Sequence, residues 1–287
     1  MDCYSSSVSS PVEVSERQSD YSVADRLLAI ECALSNCLND LKFTSPVSYV
    51  YNPLDYAFHL HSMFVKKYCD STKRLLFLGM NPGPWGMAQT GIPFGEVSMV
   101  RDWFELNAVV GRPLREHPQR LVRGLSCHRS ETSGRRFWGL LRRICSTPEC
   151  ALANAVVYNH CPLLLLSESG RNITPAELKK EQLDLIRKPC DAALVNVLRL
   201  LHVGVIVAIG KYAETRAKFV LRENPDLKEH IMALQLHRGY SSPTSFQKMR
   251  VKLATQVFSN HVATGVQHWK RCLAQEWAGH SRIPEGS

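Results

Sequence analysis

The 287-residue chain has ten cysteines yet no Cys-x-x-Cys pair, which excludes a zinc ribbon and a thioredoxin-like centre. They stand at Cys3, Cys32, Cys37, Cys69, Cys127, Cys145, Cys150, Cys161, Cys190 and Cys272 and read as reduced, small core residues. No apolar run approaches the roughly 20 residues needed to span a bilayer. The opening Met1-Asp2-Cys3-Tyr4-Ser5 has no basic region and no hydrophobic stretch behind it, so no secretory leader is expected and the protein should be soluble and intracellular. In that compartment the sequon-like Asn172-Ile173-Thr174 is without consequence. The glycine spacing Gly79-x-x-x-Gly83-x-x-Gly86 matches neither a dinucleotide fingerprint nor a phosphate loop. His160 and Cys161 are adjacent, but no further ligands lie at suitable spacing, so they read as packing residues and neither metal nor cofactor is expected.

What is present suits one globular body. A chain of this length with 45% hydrophobic residues can bury one substantial core. The net charge of +9 is unevenly spread: residues 1–25 carry −4, residues 26–236 carry +8 and residues 237–287 carry +5. A basic body fits a polyanion, because Lys and Arg contacts to phosphates release counterions, and it equally fits ordinary solvated surface charge.

Hydrophobic pattern divides the chain into alternating elements. The Ser-rich segment from Tyr4 to about Ser22 lacks periodicity and is expected to be disordered. Leu27, Leu28, Ile30, Leu34, Leu38 and Leu41 recur at helical spacing. Short apolar runs at Arg74–Gly79, Ala155–Tyr158, Val203–Ile209 and Ile231–Leu236 predict strands. Helices are predicted at Val97–Asn107, at Arg136–Cys145 and from Thr174 to Leu201 with a break at Pro189, and again at Lys211–Arg222. The alternation implies an α/β fold of three α/β/α layers around a mostly parallel four-stranded sheet.

Three polar residues then stand where strands end: Asn81 just past Gly79, Asn159 after Tyr158 and His237 after Leu236. In a parallel sheet those ends share one edge, outside which ligands of open α/β folds bind. Asn81 sits in a loop restrained by Pro82 and Pro84 and opened by Gly83 and Gly86, suited to holding a side chain still. Asn81 and Asn159 also have plainer uses, as a turn cap and as a cap for the following segment, and Phe94, in the loop beyond Asn81, reads equally as ordinary core.

Gly79-Met80-Asn81-Pro82-Gly83-Pro84, with Gly86-Met87-Ala88-Gln89-Thr90-Gly91 and Pro93-Phe94-Gly95-Glu96-Val97, resembles the first motif of the single-strand-selective monofunctional uracil-DNA glycosylases. Asn159-His160-Cys161-Pro162-Leu163, running into Ser169-Gly170-Arg171-Asn172 and Thr174-Pro175-Ala176-Glu177-Leu178, resembles the second. The likeness covers roughly Leu27 to His237.

The resemblance implies hydrolysis of a pyrimidine N-glycosidic bond in single- and double-stranded DNA, leaving an abasic site for base excision repair. Such chemistry requires flipping the nucleotide, reading its edge, orienting water and stabilising the leaving anion. By resemblance Asn81 positions the water and His237 donates to the departing base oxygen. Asn159 reads the uracil edge through a donor and an acceptor, and Phe94 is the ring on which the flipped base stacks. Gly83 with the backbone of Met80 forms the wall near C5, where a missing side chain leaves room for substituents such as 5-hydroxymethyl. No lysine matches a nucleophile position, which fits a monofunctional enzyme. The family also implies a nuclear monomer whose partner is uracil-containing DNA, with no membrane partner.

After His237 the chain departs from the family pattern. His237-Arg238-Gly239-Tyr240-Ser241-Ser242-Pro243 replaces the expected Pro-Ser-Pro and wedge loop, which leaves either Arg238 and Tyr240 as a substitute wedge or the tail as a loosely ordered basic extension holding DNA non-specifically. The expected organisation is a tail at 1–23, a glycosylase-like domain at 24–245 and a divergent basic extension at 246–287. The altered wedge also admits a second reading, a base-flipping DNA-binding protein with little activity.

Overall fold

A computed structural model describes residues 21–236. His237, Arg238 and Tyr240, the tail up to residue 20 and the ends of the domain and extension predicted above lie outside those residues.

The first helix, α1 (Val23–Asn39), begins where Ser22 Oγ accepts from Asp25 N at 3.1 Å, a serine N-cap. Strand β1 (Tyr49–Tyr51) and helix α2 (Phe58–Tyr68) precede β2 (Leu75–Gly79). Helices α3 (Val97–Asp102) and α4 (Thr132–Ile144) lead to β3 (Ala155–Asn159), β4 (Leu164–Leu166) and β5 (Asn172–Ile173). Helix α5 (Lys180–Leu200), β6 (Val205–Ile209), α6 (Lys211–Glu223) and β7 (Met232–Leu236) follow.

The central sheet has four parallel strands in the order β3-β2-β6-β7, as the apolar runs predict. Strands buried on both faces read as continuous Val, Ile and Leu, and β3 is buried along its whole length. Because the order turns back at β2, right-handed crossovers put α4 on one face and α5 and α6 on the other, giving three layers. Phe137 of α4 packs on Phe77 of β2 at 5.2 Å between centroids, and Trp138, Phe64 and Phe104 extend that aromatic core. Helix α1 packs on α5.

Two features differ from the sequence reading. A small antiparallel sheet, β1-β4-β5, sits beside the main one; its strands of three, three and two residues are too short to show a period. The predicted break at Pro189 is absent, and α5 runs through it. Proline withdraws the donor that would serve the carbonyl of Leu185, but Leu185 is exposed, so water can donate to that carbonyl in its place. The break falls instead at Leu178 and Lys179, whose extended backbone separates α5 from the short 3-10 turn Pro175–Glu177. That turn carries a capping box between Thr174 and Glu177. No helix among the described residues is long and apolar enough to cross a membrane.

Candidate active site

The carboxyl ends of β2 and β3 are in register, Gly79 beside Asn159. Pairing continues past both strands, with His160 N donating to Gly79 O at 3.0 Å and Cys161 N to Met80 O at 2.9 Å. Two polar residues more than seventy positions apart are thereby fixed on one edge. Asn81 follows two residues after Gly79, and its Nδ2 donates to Pro82 O at 3.3 Å and Leu163 O at 3.5 Å. Both bonds are long and therefore weak, yet together they turn the amide nitrogen toward the protein. Oδ1 is left as the acceptor, with no donor among the described residues, in a half-buried position.

Asn159 is buried, and its Nδ2 donates to the thioether of Met87 at 3.2 Å. Sulfur is a weak acceptor, so this bond holds the amide in place at small cost when a stronger acceptor arrives. The side chain caps no helix. Its Oδ1 lies over Gly79 together with the ring of Phe94: a methyl group at Gly79 would collide with Asn159 Oδ1 and come within 2.8 Å of Phe94 Cε2 and Cζ. The glycine thus exists to let an amide and an aromatic face meet above the strand.

Phe94 is half-buried and takes φ +55°, a left-handed conformation that costs a non-glycine residue about 1 kcal/mol. Surrounding contacts hold it there. Trp138 Nε1 donates to Phe94 O at 3.0 Å, Thr90 Oγ1 donates to Gly95 O at 3.0 Å, and the Phe94 ring leans on Phe137 at 4.8 Å between centroids. Strain kept by such over-determination is common where a side chain must be aimed.

Gly83 departs from expectation. The space that its absent side chain was expected to leave is filled, on the Cβ side, by Glu131, whose Cδ would stand 2.6 Å from an added methyl carbon. Glu131 precedes α4; its Oε1 accepts from Ser133 Oγ at 2.7 Å, while Oε2 is buried without a partner. Sequence reasoning missed both Glu131 and the contact of Met87 with Asn159. The only signal for Glu131 was indirect: a second glycine at Gly86, which the same side chain also crowds.

His160, next to Asn159, is wholly buried in a polar network that engages both of its ring nitrogens. Its Nε2 donates to Asp191 Oδ1 at 2.8 Å and its Nδ1 accepts from Tyr212 at 3.3 Å, the pattern of a neutral ring. Arg216 pairs with the same carboxylate through Nε at 3.1 Å and through Nη2. Burial pushes the His160 pKa below the ordinary 6.5, the Asp191 bond opposing it only in part. Near pH 6 the unfolded chain therefore binds a proton that the folded chain refuses, and this contribution to stability is lost as pH falls below about 6.5. His160→Leu is expected to flatten the dependence of unfolding free energy on pH between about 7 and 5; superimposable slopes for variant and parent in denaturant titrations would contradict the neutral buried ring.

No group of three or more His, Cys, Asp or Glu among the described residues could hold a metal ion. A cleft of about 1050 Å³ at Tyr21, Asp25, Arg26 and His202 lies at the opposite edge of the sheet, since His202 O accepts from Arg74 just before β2. No strand-end residue lines it. The structure thus brings Asn81, Met80, Gly83, Phe94 and Asn159 to one edge. Leu236 pairs with Ile209 and ends β7 at that same edge, where the described residues stop short of His237.

Comparison with known proteins gives a consistent picture. The family model described as the uracil DNA glycosylase superfamily matches residues 66–269, and so runs past His237, where the motif resemblance ends. A single-strand selective monofunctional uracil DNA glycosylase of Bos taurus is 51% identical over 200 residues, covering 70% of this chain and 74% of its own. The Mus musculus protein of that name is 49% identical over 200 residues, covering 70% and 72%. The crystal structure of wild-type Pedobacter heparinus SMUG2 shares the fold, with a TM-score of 0.54 at 16% identity over 91% of this chain and 99% of that one.

Proposed function

The chain belongs to the uracil DNA glycosylase superfamily, and on that premise we propose that it is a monofunctional uracil-DNA glycosylase acting on single- and double-stranded DNA in base excision repair. The observation that carries the reading is the meeting of Asn159 and Phe94 over Gly79, beside the loop of Asn81. A flipped uracil needs an amide edge and an aromatic face at one place, and stacking alone contributes about 1 to 3 kcal/mol.

Asn81 orients the attacking water through Oδ1. An amide cannot remove a proton, so bond breaking runs ahead of attack, and the sugar has oxocarbenium character when water closes on it. Asn159 offers its donor to the uracil O4 and its acceptor to N3-H. His237, by family resemblance, donates to the departing base oxygen, and Arg238 and Tyr240 enter the duplex behind the extruded nucleotide. Oxidised 5-substituted uracils are further substrates. Glu131 Oε2 behind Gly83 is an acceptor in want of a donor, which favours a hydroxyl on the C5 side over the methyl of thymine. The enzyme acts as a monomer in the nucleus.

The test is release of free uracil from single- and double-stranded oligonucleotides in EDTA. Metal-independent release is the expected result. Tight binding without release would favour a base-flipping binder, and activity that needs a divalent ion would overturn the mechanism.

A further inference from the structure

We propose that the cleft lined by Trp85, Arg120, Arg123, His128 and Arg129 carries the single DNA strand leading away from the extruded nucleotide. Trp85 stacks on a neighbouring base and the arginines hold phosphates. The inference rests on the glycosylase reading and adds to it a path for the strand.

The cleft encloses about 590 Å³, and no acidic residue is among its lining. That volume falls in the range of ligand sites. The guanidinium carbons of Arg120 and Arg129 lie 5.3 and 5.0 Å from the centre of the Trp85 ring. Trp85 itself is half-buried, so part of its side chain stays open to solvent. The carboxylate-paired arginines among the described residues are others: Arg101, Arg112, Arg171, Arg199, Arg216 and Arg222. No carboxylate of the described residues pairs with Arg120, Arg123 or Arg129, which leaves them open to an anion. Arg120 Nη1 donates to Gln119 O at 2.9 Å, but its Nε is buried without a partner. A buried donor left open costs stability until an acceptor arrives, and a phosphate oxygen is the acceptor a guanidinium fits best.

The cleft is also tied to the catalytic loop. Gln89, fully buried, donates through Nε2 to Pro84 O at 2.9 Å and Leu121 O at 3.2 Å, and its Oε1 accepts from Arg123 N at 2.8 Å. One amide therefore fastens the wall around residues 119–123 to the loop bearing Asn81 and Trp85. An aromatic ring flanked by cations in a groove is the composition that binds single strands without reading sequence. A paired duplex would hide its base faces from Trp85.

The test uses the full chain and a uracil-free single strand of about 16 nucleotides, with affinity followed by anisotropy across a salt series. Trp85→Ala is expected to weaken binding about tenfold and Trp85→Phe to restore most of it. The double variant Arg120→Gln, Arg129→Gln is expected to reduce the log-log salt slope by about 1.4, at about 0.7 for each phosphate no longer neutralised. The control Lys42→Gln, Lys228→Gln removes the same charge from exposed positions outside the cleft and should leave the slope unchanged. For a long uracil-bearing strand, KM is expected to rise in the cleft variants by a larger factor than kcat falls, the split expected of groups that hold the strand and do not touch the reacting bond. Equal slopes and affinities in cleft variants, control and parent, with melting temperatures preserved, would overturn the proposal. Failure of the parent to release uracil would instead refute the glycosylase reading, and the uracil-free binding series would still judge the cleft.

Discussion

Replacing Asn81 by alanine is expected to lower uracil release about 10²- to 10³-fold while leaving affinity for uracil-containing DNA close to that of the parent. The water it would orient is needed in the transition state and contributes little to ground-state binding, so the loss belongs to kcat. Stability should barely change. The two bonds from Nδ2, at 3.3 and 3.5 Å, are long, and net hydrogen-bond contributions are about 1 kcal/mol even at good geometry. Asn81→Asp is not expected to supply a better base, because a carboxylate would face the carbonyls of Pro82 and Leu163 with no proton to offer either. Single-turnover rates beside equilibrium binding of an uncleaved substrate decide the matter; a parallel loss of both would make Asn81 a loop anchor.

Gly79→Ala should produce a comparable defect by another route. Its backbone needs no left-handed angle, so the substitution acts through space alone. The added methyl meets Asn159 Oδ1 and the Phe94 ring together, and neither can yield freely. Asn159 stands in register with Gly79, and Phe94 is locked by Trp138 and Phe137. Overpacking of this kind costs about 1 to 3 kcal/mol in stability. Displacing a positioning group by about 1 Å costs on the order of 10²-fold in rate. Gly139→Ala, in α4, provides the contrast: nothing lies within 4 Å of its added carbon, so activity should be retained and stability should not fall. Wild-type release by Gly79→Ala would show that Asn159 and Phe94 do not hold the base.

Much of this architecture is legible in residue order because it is local. The four parallel strands appear as apolar runs of about five residues ended by glycine or a polar group, and their boundaries fall within two residues of expectation. Buried strands must be apolar on both faces, which leaves a continuous signature. Helix α3 ends at Asp102, short of the predicted Asn107, and α4 starts at Thr132, ahead of Arg136. Polar positions at helix ends carry no periodicity, so tertiary contacts set those limits.

Asn81 and Asn159 could be picked out from sequence because a parallel sheet sends all its strand ends to one edge, a rule that needs only the order of elements. Their neighbours could not. That Phe94 and Asn159 share the space over Gly79, that Met87 holds the Asn159 amide, and that Glu131 fills the side of Gly83 expected to be open are contacts between segments 15 to 80 residues apart. Strand identity and edge follow from hydrophobic burial, which acts residue by residue along the chain. Which side chains touch across that edge follows from close packing in three dimensions, where a single methyl decides the outcome and no periodicity announces it.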